Sequence, residues 1–227
     1  MFTSQRRLIT FQAKDGYRIN AFLLSGNYDT KDDLLTKPII IHIHGVLGHF
    51  LARGTPRLLP PALLDHGISS LSINTRMAFL GQIMGEAIFD KTLYDIEAAV
   101  DLLKHEGFRN IFILGYSLGA NLVAYYASEK YDSNVRGLIL EGCSFSLPES
   151  QKKRLQKWDS IPTYEDIYDR AQKILRPDPY SSQNDQIFII YRAWGPTFNP
   201  VDTEIFTYRT WWFMRSPDAP YAKTFKL

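Results

Sequence analysis

A serine at position 117 lies between two glycines in the run Gly115-Tyr-Ser-Leu-Gly119. Four apolar residues precede this run, and a helix-forming stretch, 121–127, follows it directly. The order predicts a strand, a sharp turn and a helix, with the Ser117 hydroxyl lifted clear of the sheet. The glycines leave room because they carry no Cβ where strand and helix nearly touch. A helix N-terminus beside Ser117 would stabilise a developing oxyanion, so the pattern is typical of a nucleophile.

The rest of the chain must position this serine, and its apolar pattern alternates between strands and helices. The polar turn Asp15-Gly16 predicts an N-terminal hairpin. Continuous apolar runs predict buried strands, and stretches with a helical period lie between them. The predicted strands are 38–44, 68–74, 111–115 and 135–141, and the predicted helices include 56–66, 91–105 and 203–214. The polar stretch 27–37 is predicted to be a surface loop. This alternation predicts an α/β fold with a mostly parallel sheet and helices on both faces.

Ligands of such sheets bind at the carboxyl ends of the strands. Polar and small residues follow several predicted strands at that edge, beginning with His44-Gly45 and ending with Glu141-Gly142. Ser117 and the run Asn74-Thr75-Arg76 lie at the same edge. The sequence therefore predicts one functional site there.

The hairpin, the H-G-x-x-G run His44-Gly-Val-Leu-Gly48 and the G-x-S-x-G run resemble the α/β-hydrolase superfamily over about residues 6–143. The resemblance implies that Ser117 attacks a carbonyl carbon. It also implies an oxyanion hole made by the backbone N–H groups of Leu118 and Val46, with Leu47 as the neighbouring alternative to Val46. Gly45 and Gly48 would let this loop turn its amides toward the site, with Gly115 and Gly119 supporting the serine turn. His44 is either a buried brace of the loop or a direct participant.

A serine nucleophile needs a base and an orienting acid, which the resemblance implies in the order Ser, acid, His. All five histidines precede Ser117: His42, His44, His49, His66 and His105. Glu141 is the candidate acid, although it also fits a capping carboxylate. His49, on the loop beside the oxyanion donors, is the candidate base from within this sequence.

Three explanations of the missing base remain open. Two further strand–helix units of the fold, about 60–80 residues, are absent from this sequence and would supply it. Alternatively, the protein has lost hydrolysis and keeps the fold for binding. The third explanation makes His49 the base. The first gains support from the strand 135–141, which is apolar like an internal strand although it would form a sheet edge.

Composition changes at residue 144, so we expect two domains. Residues 1–143 would form the N-terminal part of the hydrolase core, and residues 144–227 an inserted cap or lid. The second segment holds all four tryptophans and 16 of the 31 aromatic residues. These side chains form either the core of the cap or the lining of an apolar acyl or alcohol pocket. They include Trp158, Tyr164, Trp194, Phe198, Trp211 and Trp212.

The net charge and the cysteine count restrict the partners and the kinds of site that we expect. A net charge of +2 gives no reason to expect a nucleic acid or an anionic membrane as partner. A single cysteine, Cys143, excludes an intrachain disulfide and a thiolate metal cluster. We expect a cytoplasmic protein without metal, cofactor, signal peptide or membrane span. The expected substrate is a small molecule with an apolar acyl or alcohol part. Its ester, thioester or amide bond would be cleaved through an acyl-enzyme; the sequence sets no oligomeric state.

Overall fold

The structure is a computed structural model that describes residues 5–26, 31–79, 87–176, 178–183, 185–191 and 203–219. The chain divides into two compact units, of which the first comprises Met1–Ala78 and Lys91–Cys143. The second comprises Phe79–Asp90 and Ser144–Leu227. Sequence analysis placed residues 79–90 in the first domain. In the structure the Ala87 N–H donates a hydrogen bond to Thr210 Oγ1 at 3.1 Å, which ties this segment to the second unit.

The described part of the first unit is built on a six-stranded sheet. Its strands are β1 (Gln5–Gln12), β2 (Arg18–Ser25), β3 (Ile39–Ile43), β4 (Ser69–Asn74), β5 (Ile111–Tyr116) and β6 (Val135–Glu141). Their order across the sheet is β1-β2-β4-β3-β5-β6. The hairpin strands β1 and β2 pair antiparallel, and β2 pairs antiparallel with β4. The β3–β4, β3–β5 and β5–β6 pairs are parallel.

Strand β3 lies inside the sheet, with a parallel neighbour on each side. Every residue of β3 is buried, because helices cover both faces of a parallel sheet. The predicted fold class, a mostly parallel α/β sheet preceded by a hairpin, is confirmed.

The helices of the first unit are α1 (Lys31–Thr36), α2 (Thr55–Asp65), α3 (Thr92–His105) and α4 (Leu118–Glu129). Three of them follow the predicted periods, but α1 lies where sequence analysis predicts a surface loop. Its carbonyl at Leu34 accepts a hydrogen bond from the Arg109 N–H at 3.3 Å. This helix is thus anchored by a residue distant in the chain, which a local pattern does not show.

The second unit contains α5 (Leu147–Lys157), α6 (Tyr164–Leu175), β7 (Ile187–Tyr191), β8 (Thr203–Thr207) and α7 (Tyr208–Arg215). The single helix that the sequence predicts over 203–214 is wrong in its first part. The β-branched residues of 203–207 instead pair antiparallel with β7. The helix starts afterwards, because the Thr207 side chain accepts a hydrogen bond from the Thr210 N–H and caps it.

Aromatic side chains fill the interior of the second unit. Trp211 and Phe213 are buried completely, and the rings of Tyr164 and Trp211 lie 5.3 Å apart. Two of the aromatic residues singled out from the sequence, Trp194 and Phe198, lie outside the described residues. The buried aromatic residues of α6 and α7, which are Tyr164, Trp211, Trp212 and Phe213, thus belong to the core of this unit. That the unit caps an active site stays a prediction.

A buried guanidinium joins three elements of the first unit. Arg76, just after β4, contacts Asp15 in the hairpin turn at 2.8 Å and Asp95 in α3 at 2.7 Å. The Arg76 side chain is 7% exposed and that of Asp95 is 0% exposed. Removing one partner of such a pair leaves the other charge buried without compensation.

We therefore expect Arg76→Met to lower the free energy of unfolding by about 3–5 kcal/mol, because Asp95 would lose its counter-charge. The matched control is Lys14→Met, which removes the Lys14–Glu97 pair, whose side chains are 53% and 30% exposed. That control should cost less than about 1 kcal/mol. Urea unfolding of both variants measures the difference, and equal losses would contradict this role of Arg76.

Candidate active site

Ser117 occupies the junction between β5 and α4. Its backbone has φ 54° and ψ −119°, an unfavourable conformation for a residue with a Cβ. The residue is half-buried and caps α4 without making a side-chain cap hydrogen bond. The strand–turn–helix predicted from the sequence is thus present at Ser117.

Two glycines make this turn sterically possible. A Cβ added to Gly115 would lie 2.3 Å from the Gly119 carbonyl oxygen. A Cβ added to Gly119 would lie 2.4 Å from the Ile43 carbonyl oxygen and 2.6 Å from that of His44. Because these neighbours are backbone atoms, they cannot rotate out of the way. The close approach of β5, α4 and the end of β3 therefore requires glycine at both positions.

The loop after β3 lies against the serine. A Cβ on Gly45 would come within 3.1 Å of the Ser117 Cβ. The Gly48 N–H donates to the Gly45 carbonyl at 3.2 Å, and Leu47 has a φ of 60°, so residues 45–48 form a tight turn. The donor of the hydrogen bond that closes this turn is the Gly48 N–H, and the Val46 N–H takes no part in that bond. The Leu118 N–H is the first of α4, where amides have no partner within the helix.

The His44 side chain holds this loop through contacts of both its ring nitrogens. Its side chain is buried, and Nδ1 lies 2.9 Å from the Gly45 carbonyl oxygen, which can only accept. Nδ1 is therefore the donor, and Nε2 accepts from the Thr75 hydroxyl at 3.1 Å. Burial lowers the pKa of His44 from 6.5 to about 4, so the ring is neutral at pH 7. Both ring nitrogens are engaged in bracing the loop.

Glu141, the candidate acid, contacts the serine through its backbone. Its carbonyl accepts a hydrogen bond from the Ser117 N–H at 2.7 Å. Its exposed carboxylate accepts a hydrogen bond from the Thr55 hydroxyl at 3.2 Å. The structure therefore places Glu141 beside Ser117, with its side chain held to the start of α2.

The five histidines do not supply a hydrogen bond to Ser117 in the described structure. The candidate base, His49, accepts a hydrogen bond from the Leu51 N–H through Nδ1 at 3.2 Å. His42 is buried within β3, and burial lowers its pKa to about 4. His66 caps the end of α2 and His105 is the last residue of α3. Among the described residues, no histidine is thus hydrogen-bonded to the Ser117 hydroxyl.

Two residues of the site received no role from the sequence. The Asn74 side chain accepts a hydrogen bond from the Phe50 N–H at 2.8 Å, and Thr75 holds His44. Asn74 is the last residue of β4 and Thr75 follows it directly, so their position at the carboxyl edge was visible in the sequence. Their partners were not, because those contacts join two loops that are more than 20 residues apart.

The described residues contain no cluster of three or more His, Cys, Asp or Glu side chains placed to hold a metal ion. Among them, too, no helix is both long enough and apolar enough to cross a membrane.

A family model described as alpha/beta hydrolase fold matches residues 38–170, from β3 into α6. The chain belongs to the alpha/beta hydrolase fold family. A search of curated proteins finds no match. The family explains why β3, β5 and α4 meet at a serine flanked by glycines.

Solved structures of this fold are similar in three dimensions. An esterase of Pyrococcus furiosus superposes with a TM-score of 0.57 at 18% identity, covering 69% of this chain and 57% of its own. Est1E of Butyrivibrio proteoclasticus, with ferulic acid bound, gives 0.52 at 23% identity, covering 64% and 56%. An Agrobacterium vitis protein described as a putative hydrolase gives 0.54 at 15% identity, covering 90% and 69%. The chain thus spans little more than half the length of the first two.

The buried histidines predict a pH dependence of stability. In the unfolded chain His42 and His44 take up protons near pH 6.5, whereas the folded state resists protonation down to about pH 4. The contribution of these histidines to the free energy of unfolding is therefore fully present above about pH 6.5 and falls as the pH drops toward 4. We expect a loss of about 2 kcal/mol per histidine between pH 7 and pH 5.

Urea unfolding at pH 7, 6 and 5 measures this loss. His42→Gln should remove about half of it, because His44 still titrates. A pH-independent free energy of unfolding over this range would contradict the account.

Proposed function

We propose that this protein is a serine hydrolase that cleaves a carboxylic ester through an acyl-enzyme on Ser117. The observation that carries the proposal is the strained backbone of Ser117 at the N-terminus of α4, pressed against the Gly45 turn. Backbone strain at one residue, enforced here by one glycine before it and one after it, is typical of a functional site. The family and the esterase among its structural neighbours support hydrolysis as the reaction class.

In the proposed reaction the Ser117 Oγ forms a bond to the substrate carbonyl carbon while a base takes its proton. The carbonyl electron pair moves to oxygen, and the Leu118 and Val46 N–H groups stabilise this oxyanion. Each donor of this kind contributes about 10²–10³-fold to the rate. The intermediate then expels the alcohol, which takes up the proton, and water releases the acid from Ser117 in the same way.

The proposed reaction needs a base that takes the proton from the Ser117 hydroxyl. His44 is poorly suited, because both its ring nitrogens hold the loop and its pKa lies near 4. Without a base, Ser117 would keep only about 10³–10⁴-fold acceleration from the oxyanion donors and binding. We therefore propose that Ser117 in this chain turns over slowly.

A non-catalytic binding protein with the same fold is the alternative. One observation favours it: no described histidine is hydrogen-bonded to the Ser117 hydroxyl, and a binding protein needs no base there. Labelling by a reactive serine probe separates the two functions. In a hydrolase the oxyanion donors accelerate the reaction of Ser117 with the probe, whereas in a binding protein Ser117 reacts no faster than an ordinary serine.

We expect a fluorophosphonate probe to label the wild-type chain slowly and Ser117→Ala not at all. Ser128→Ala is the matched control: it removes an exposed hydroxyl from the same helix, α4, and should label like the wild type. Fluorescence in a denaturing gel after timed exposure gives both rates. Equal labelling of Ser117→Ala and the wild type would refute the nucleophile.

A second pair of variants tests the candidate base and acid. His49→Gln and Glu141→Gln should each change the labelling rate less than about threefold, because the His49 Nδ1 accepts from the Leu51 N–H and the Glu141 carboxylate accepts from the Thr55 hydroxyl. A loss of about 100-fold in His49→Gln would identify His49 as the base instead. Circular dichroism of each variant shows whether the fold is retained.

A further inference from the structure

A small cavity in the first unit lies between the sheet and the start of α2. Strands β3, β4 and β5 line it through His42, Ser72 and Leu114, and helix α2 lines it through Thr55 and Pro56. The space open to the centre of a water-sized molecule is about 10 Å³. This is about the room that one water molecule needs, so a larger ligand does not fit.

Two polar side chains of neighbouring strands line this cavity without hydrogen-bond partners. His42 and Ser72 are register partners in the parallel pair of β3 and β4, so their side chains lie on the same face of the sheet. Their exposed fractions are only 3% and 2%. Within the part of the chain that the structure describes, both ring nitrogens of His42 and the Ser72 Oγ have no partner. Such burial is costly unless a protein group or an ordered water supplies the hydrogen bond.

The charge of the lining decides which kind of ligand fits. Among the described residues, no Asp, Glu, Lys or Arg lines the cavity. Burial lowers the pKa of His42 to about 4, so its ring is neutral at pH 7. An ion in this cavity would therefore be buried without a counter-charge. A neutral molecule that both donates and accepts matches the lining, because a neutral imidazole has one donor and one acceptor nitrogen and a hydroxyl can do both.

We propose that this cavity binds one internal water molecule, which bridges the imidazole ring of His42 and the hydroxyl of Ser72. The water forms one hydrogen bond to a ring nitrogen and one to the Ser72 Oγ, and it thereby joins β3 to β4 through their side chains. Ser117 is not among the residues that line the cavity. The site is therefore separate from the proposed catalysis and does not depend on hydrolysis.

Ser70 provides a matched control on the same strand. It lies two residues before Ser72 and therefore on the same face of β4. Its Oγ is likewise buried without a partner among the described residues, but Ser70 does not line the cavity. Ser72→Ala thus removes a group that holds the water, whereas Ser70→Ala removes an equivalent hydroxyl and leaves the lining of the cavity unchanged.

Crystal structures of the wild type and of both variants, at a resolution that shows ordered waters, test the site. In the wild type and in Ser70→Ala we expect density for one water within about 2.5–3.2 Å of the Ser72 Oγ and of a His42 ring nitrogen. Ser72→Ala should lose this water, because only one of its two polar partners remains. A wild-type cavity without this density would overturn the proposal, even if Ser72→Ala fails to fold. A water that Ser72→Ala retains at full occupancy would also overturn it.

Discussion

The first unit depends on one steric constraint, the contact of three backbone segments around Gly115 and Gly119. The start of α4 approaches the end of β3 so closely that a Cβ on Gly119 would overlap the Ile43 and His44 carbonyls. This contact brings the turn at Gly45 against Ser117 and fixes the strained serine backbone. Substitution of either glycine would force the strand and helix apart, so the stability of the sheet and the geometry at Ser117 have the same origin.

The polar side chains nearby hold loops in place, and none of the described ones is hydrogen-bonded to the Ser117 hydroxyl. His44 uses both ring nitrogens on Gly45 and Thr75, and Asn74 holds the Phe50 N–H. A neutral, buried histidine makes the loop rigid at pH 7 but weakens the fold in acid. The candidate oxyanion hole is thus supported by groups that have no part in moving a proton.

Sequence patterns predicted the sheet and the serine turn because both rest on local features. Continuous apolar runs mark buried strands, and glycine spacing marks a close approach that only glycine allows. The errors arose where distant contacts decide. Helix α1 is anchored at Leu34 by Arg109, and β8 separates from α7 because it pairs with β7. The bracing of His44 by Thr75 also depends on tertiary packing.

A crystal structure of the chain after prolonged reaction with a fluorophosphonate tests the central claim most directly. The account predicts a covalent bond from the Ser117 Oγ to phosphorus. It also predicts the phosphoryl oxygen within about 2.7–3.1 Å of the Leu118 and Val46 nitrogens. An adduct on another residue, or a phosphoryl oxygen that points away from both amides, would contradict it.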